Sequence, residues 1–429
     1  MDSLVRPTKP PRIRKIQWIT LSFLLTAGIV NFLDRSSLSI ANTTIRAELG
    51  LSATQIGALL SAFSLAYGLA QLPVGPLLDR AGTRIVLGGA MALWSLAQMA
   101  TGLVSSFRLF ISLRVGLGVG EAPFLPAGVK AVNDWFAVED RGRAMGIVNM
   151  SGALGQALAP PLLTVIMLTF GWRSMFLLLG GIGLALAIAW YPLNRDRLQL
   201  ALNASEAAYL DTKSVARTNS ALSFEEWKRL FKLRSVWGMM LGFGGINYTA
   251  WLYLSWLPGY LQVERHVSIA RSGWIATIPF MAGALGMLVS GAVADAMARR
   301  GRDLIQSRRL LIVSGMITSA LCTLVVAFAA STTEAVLVIS MALFFIHFAG
   351  TSAWGLVQVA TPARMVASVS SIQNFGSFLC ASFAPILTGI ILDHTHSFKL
   401  ALGVCACVTL AGSLCYLLIF NKRISDAVE

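Results

Sequence analysis

Ten stretches of the chain run for 21 to 30 positions without a single charged residue: 49–78, 85–107, 144–172, 174–194, 235–263, 272–294, 310–333, 335–363, 365–392 and 400–421. A helix rises about 1.5 Å per residue, so roughly 20 apolar residues cross the ~30 Å hydrocarbon core of a bilayer. Two more stretches reach that length once internal charges are admitted, one around Gln17 to Asn42 and one around Arg108 to Gly128. The apolar runs are continuous and do not alternate with polar residues, which excludes a strand barrel. The pattern therefore predicts an all-α polytopic membrane protein with twelve transmembrane helices.

Composition agrees with this reading. Of 429 residues, 56% are hydrophobic and 13% charged, against about 25% charged in soluble domains. The longest polar connection, residues 193–234, follows the sixth span. It divides the chain into an N-terminal six-helix bundle (1–192), a cytoplasmic linker (193–234) and a C-terminal six-helix bundle (235–429). Within the linker, "SFEEWKRLF" predicts a short amphipathic helix on the membrane surface. A weak repeat supports the division: "GPLLDRAGTR" (75–84) follows the second span and "GAVADAMARRG" (291–301) follows the eighth. Both place a glycine four residues before an aspartate. Two parallel six-helix halves point to a secondary transporter with its substrate site between them near the membrane midplane.

The formal charge of +14 raises the question of nucleic acid, which the distribution of charge answers. With both termini cytoplasmic, 26 of the 34 lysines and arginines fall on the inner side and six in the outer loops, leaving Arg35 and Arg114 in the membrane. That bias is the positive-inside rule. It predicts an integral plasma-membrane protein, in a bacterium the inner membrane, with the lipid bilayer and not nucleic acid as its surroundings. The N-terminal run is too long for a cleavable signal peptide, and no small-x-small cleavage site precedes Asp34. All five cysteines fall within spans, without disulfide or metal-ligand spacing, and are read as packing groups. No metal-ligand cluster, nucleophile motif or soluble catalytic domain suggests an enzyme.

Charges deep inside spans carry the chemistry. "NFLDRSSLSI" (31–40) places Asp34 and Arg35 in the first span, and "RVGLGVGEAPFLPAG" places Arg114 and Glu121 in the fourth. An ionisable group in lipid costs at least ~2.5 kcal/mol, so such groups face a cavity or pair with one another. Arg114 and Glu121 are two helical turns apart, on one face and ~10 Å apart along the axis. Asp34 and Arg35 are neighbours, ~100° apart around the helix, so each is better matched by a partner on another helix. The fourth span supplies one of each sign. A static salt-bridge set is the structural alternative, but buried pairs often gain little over apolar packing, so four such groups suggest a working role. Arginines facing a water-filled cavity form a carboxylate receptor, because guanidinium binds carboxylate through two parallel hydrogen bonds. The acids then serve as proton carriers whose charge is opposed by burial and favoured by the arginines.

"GPLLDRAGTR" resembles the signature loop of the major facilitator superfamily at every fixed position: Gly75, Asp79, Arg80, Gly82 and Arg84. The resemblance implies an inter-helix clasp there that favours the outward-open state. "NFLDRSSLSIA", Tyr67 in "FSLAYGLAQLPVG", "RVGLGVGEAPFLPAG", "NYTAWLYLSWLPGYL", "AGTSAWGLVQVATP" and "SIQNFGSFLCASFAP" resemble the anion:cation symporters within it. That resemblance implies import of sugar acids such as galactonate, glucarate or hexuronates with protons as the coupling ion, no other cofactor and a monomer. It implies that Asp34 and Glu121 carry protons, that Arg35 holds substrate carboxylate, that Arg114 tunes Glu121, and that Tyr67, Ser352, Trp354 and Asn374 line the site. Two departures stand out. Phe32 occupies a position where sugar-acid members often have tyrosine, and Ala153 one where some have glutamine, with Gln156 about a turn further on. Either Gln156 substitutes, or the substrate is less hydroxylated, such as an aromatic carboxylate; an efflux antiporter of the same fold is the remaining alternative. Asn247, with Tyr248 and Trp251, suits a polyhydroxy anion or serves as packing. Gln373 is expected to face the cavity, and His347 to be structural.

Overall fold

The computed structural model describes residues 9–197, 200–210, 224–362, 364–420 and 423–424, which are helical without any strand. The first half comprises α1 (Pro11–Leu49), α2 (Ala53–Thr101), α3 (Phe107–Glu121), α4 (Phe124–Trp135) and α5 (Val138–Leu193). Two short helices follow, α6 (Ala204–Leu210) and α7 (Phe224–Leu230). The second half comprises α8 (Arg234–Val263), α9 (Ile269–Arg299), α10 (Leu304–Val326), α11 (Thr332–Ala360), α12 (Val366–Ala381), α13 (Phe383–Thr395) and α14 (Lys399–Leu414). A π turn, Cys415–Ile419, ends α14.

These elements make twelve spans. Both α2 and α5 are two spans in sequence, interrupted at Gly82 (φ 78°) and Gly171 (φ 81°), where the backbone adopts a conformation open mainly to glycine. The opposite happens at α3–α4 and α12–α13, where a single span is divided. Pro123 and Pro385 lie at these divisions, and each lacks the amide that would continue the helical ladder. Among the described residues nine helices are long and apolar enough to cross a membrane. Counting the two composite helices twice gives eleven, and α8 is the twelfth. It is 30 residues long but carries Asn247, Tyr248, Thr249 and three tryptophans that lower its hydropathy.

The predicted surface helix is α7, whose Leu230 is fully buried and whose Glu226 pairs with Arg364 of the second half at 3.4 Å. Ser223 of the predicted segment lies outside the described residues. The other linker helix, α6, lies against the first half through Tyr209, which donates to Asp140 at 3.1 Å.

The halves meet along α1 with α8, α2 with both α12 and α13, and α5 with α9. At the end remote from the N-terminus they are closely joined. The Asp393 carboxylate accepts the N–H groups of Ala53 (2.9 Å) and Thr54 (2.7 Å) at the start of α2. Ile386 N–H donates to Ser61 at 3.1 Å, and Ser39 donates to the Ser255 carbonyl at 2.7 Å. Gly57 and Gly389 let α2 and α13 approach until neither position has room for a Cβ, the small-residue packing that suits helices in lipid. At the end bearing the N-terminus, the Asp79 side chain is 79% exposed and pairs at 3.4 Å with Lys130 of its own half.

Candidate functional site

Helix α1 passes through its charged stretch without interruption, and the charges point inward. Asp34 is fully buried and Arg35 is 9% exposed. Helix α3 is brought against α2 by the glycines of "RVGLGVGE": Gly118 abuts the Phe63 carbonyl and Gly120 the Trp94 backbone. This close approach delivers Arg114 (1% exposed) and Glu121 (fully buried) to the same interior.

Four charges therefore converge as the spacing predicted, but only one of the two expected pairs closes. Arg35 Nε donates to Glu121 Oε2 at 2.7 Å. Both oxygens of Asp34, Nε and Nη1 of Arg114 and Oε1 of Glu121 are buried without a hydrogen-bond partner. The Arg114 guanidinium lies over the Phe63 ring at 5.2 Å, which holds it by cation–π attraction. Arg35 is likewise held by three rings, Tyr67 at 4.6 Å, Phe32 at 5.0 Å and Phe63 at 5.5 Å. Asn31, one turn before Arg35 on α1, is fully buried with neither amide atom bonded. Buried polar groups are nearly always satisfied, so this concentration of unmet ones makes the cluster the candidate site.

Toward the second half, an aromatic layer continues the cage. Tyr67 packs on Phe378 at 4.7 Å, Phe63 on Trp251 at 5.8 Å, and Trp251 on Phe378 at 5.9 Å. Beside it run two carboxamide bonds. Asn374 Nδ2 donates to Gln71 Oε1 across the halves at 2.6 Å, and Asn247 Nδ2 donates to Ser377 at 2.6 Å. Tyr67 thus lies beside Arg35, while Asn374 and Asn247 make their contacts through α12, the helix that carries Phe378. Gln156 is half-buried on α5, next to Gly155, on which the Phe32 ring rests. Trp354 is 40% exposed, its ring edge-on to Phe243 at 5.4 Å. Ser352 is fully buried within the second half, its hydroxyl 2.7 Å from that of Ser290 on α9. His347 packs over Gly283, and Gln373 is buried with its amide unbonded.

In the signature loop, Gly75, Asp79 and Arg80 are exposed. Arg84 donates to the Tyr191 carbonyl at 2.7 Å and stacks on the Tyr191 ring at 4.2 Å. Gly82 adjoins the carboxylate of Asp196, which accepts the N–H groups of Thr83 (2.8 Å) and Arg84 (3.2 Å) and so caps the span that begins there. Sequence reasoning passed over Asp196, Asp393, Gln71, Phe63 and Phe378. The signal available for Gln71 was a carboxamide one turn from Tyr67, well inside a charge-free run.

Two six-helix halves, with a buried arginine–carboxylate cluster in the first and an aromatic layer joining it to the second, have the architecture of a polytopic transport protein of the membrane. Residues 24–385 match the sequence pattern of the Major Facilitator Superfamily, and the chain belongs to that family. It is 55% identical over 425 residues to the "Probable L-galactonate transporter" of Escherichia coli K12, covering 99% of this chain and 93% of that protein. The D-galactonate transporter of Escherichia coli O6:H1 is 30% identical, with 99% and 100% covered. The hexuronate transporter of Bacillus subtilis 168 is 32% identical, with 88% of each chain covered. In fold, the chain is similar to a bacterial homologue of the human lysosomal transporter Spinster in an inward-facing, unoccupied conformation, with a TM-score of 0.82 at 17% identity over 96% of this chain and 99% of that one.

Proposed function

We propose that the protein imports a sugar acid, foremost a six-carbon hydroxy acid such as galactonate, across the bacterial inner membrane in symport with protons by alternating access. The observation that carries this reading is the Arg35–Glu121 pair at 2.7 Å, buried within an aromatic cage where the two halves meet. A guanidinium is matched in shape and charge to a carboxylate, and here one is already engaged by an internal carboxylate. A proton on Glu121 removes the charge that holds Arg35 and releases the guanidinium to an incoming substrate carboxylate. Loss of that proton restores the internal pair and displaces the substrate. Asp34, buried and unbonded beside both arginines, is the second proton carrier. Asn247 and Asn374 offer carboxamides to substrate hydroxyls, and the relatives named for galactonate and hexuronates support that substrate class.

With the N-terminus cytoplasmic, the end closed by Asp393 is the outer one and the conformation is inward-facing. An aromatic carboxylate is the second reading, favoured by the three rings around Arg35, including Phe32. Thermal unfolding of the purified protein with a panel of carboxylates separates the two. L-Galactonate is expected to raise the unfolding temperature by several degrees at millimolar concentration, and benzoate to leave it unchanged. Stabilisation by aromatic carboxylates alone would overturn the sugar-acid reading.

A further inference from the structure

The cross-half hydrogen bond between Asn374 and Gln71 has a bearing on what the site recognises. Gln71 lies one helical turn from Tyr67, hence ~6 Å further along α2. Tyr67 in turn stacks on Arg35 at 4.6 Å. A six-carbon acid whose carboxylate sits on Arg35 is long enough for its far hydroxyls to reach the level of Gln71. Gln71 lies on the side of Tyr67 away from the end where Asp393 and Ser61 join the halves, and at its level the Asn374 bond crosses between them. Asn374, Ser377 and Phe378 occupy one face of α12, so the same helix face carries the aromatic layer and both carboxamide contacts.

The chemistry also fits. A carboxamide is both donor and acceptor, and so is a sugar hydroxyl. The internal bond uses only Asn374 Nδ2 and Gln71 Oε1, so the Gln71 side-chain amino group and the Asn374 side-chain carbonyl are bonded to no other described residue. A hydroxyl arriving between the two side chains replaces one hydrogen bond with two. An apolar or short substrate offers no such exchange and would leave the carboxamides to each other.

We propose that Gln71 determines specificity by reading a hydroxyl of the substrate distal to its carboxylate, in exchange for the Asn374 bond. This rests on the sugar-acid reading above. It concerns a residue in the first half, on α2, where sequence patterning singled out only Tyr67 for the substrate site.

The test is a thermodynamic cycle between protein and ligand. Binding of L-galactonate and of its 5-deoxy and 6-deoxy analogues is measured calorimetrically on the wild type and on Gln71→Leu. In the wild type, one of the deoxy analogues is expected to bind about tenfold more weakly than L-galactonate. In Gln71→Leu, L-galactonate should weaken about tenfold while that analogue changes little, so the two ligands become equivalent. Gln71→Asn, which keeps the amide on a shorter arm, should recover part of the discrimination if the amide is what matters. If Gln71→Leu weakens parent and deoxy ligands alike, or weakens neither, Gln71 is only a staple between helices and the proposal fails. If wild-type protein binds no six-carbon hydroxy acid, the sugar-acid reading fails first and takes this inference with it. Unfolding temperatures of the unliganded variants identify any that are merely misfolded, and Gln71→Asn then carries the comparison.

Discussion

At the scale of single residues, the site is a competition for one guanidinium. Arg35 is enclosed by three rings and one carboxylate, so its planar face is covered and its Nε engaged. Lysine would keep the charge but lose the bidentate geometry and most of the stacking. We expect Arg35→Lys to weaken L-galactonate binding at least tenfold with little change in unfolding temperature. Unaltered affinity, measured by calorimetry, would mean that the carboxylate sits elsewhere. These residues were legible in the sequence because lipid makes ionisable groups conspicuous: Asp34, Arg35, Arg114 and Glu121 are the charges placed deep inside spans. The partners were only half legible. Spacing implied two crossed pairs, whereas Arg114 is held over Phe63 and does not reach Asp34 in a bonded geometry. Aromatic and amide groups gave a weaker signal, since Phe63, Phe378 and Gln71 look like ordinary packing until their neighbours from the other half are known.

At the scale of helices, absence of charge marked ten of the twelve spans, and continuous apolar runs suit a bilayer because each backbone polar group must be satisfied within its own helix. Helix boundaries were less legible, because Gly82 and Gly171 redirect the chain between spans in a single residue. Contacts between helices remote in sequence were not legible at all. The bond from Asp393 to the start of α2 joins positions 340 apart. A carboxylate accepting two N–H groups at a helix start is favourable through hydrogen bonding and the helix dipole together, on the order of 1–3 kcal/mol. Because it ties the two halves at one end only, it stabilises the conformation closed at that end. Asp393→Ala is therefore expected to favour opening there. In a chain lacking its own cysteines, labelling of Ser61→Cys by a membrane-impermeant maleimide should accelerate about tenfold in the Asp393→Ala background. An unchanged labelling rate would show that this contact does not hold the end shut.

At the scale of the molecule, the two halves are joined at one end and share the aromatic layer beside the charged cluster. The clasp expected in the signature loop faces the opposite end, where Asp79 pairs with Lys130 of its own half. Asp79 and Asp393 thus stand at the two ends of the same interface, and on the proposed cycle they act in opposite conformations. On the proposed cycle, substrate movement is coupled to protons through the buried carboxylates. That coupling is tested most directly by uptake of labelled L-galactonate into proteoliposomes under an imposed inward proton gradient, with wild-type protein and with Asp34→Asn. We expect wild-type vesicles to accumulate substrate above the external concentration, and Asp34→Asn vesicles to equilibrate without accumulating. Accumulation by Asp34→Asn equal to that of the wild type, or wild-type uptake indifferent to the gradient, would contradict the account.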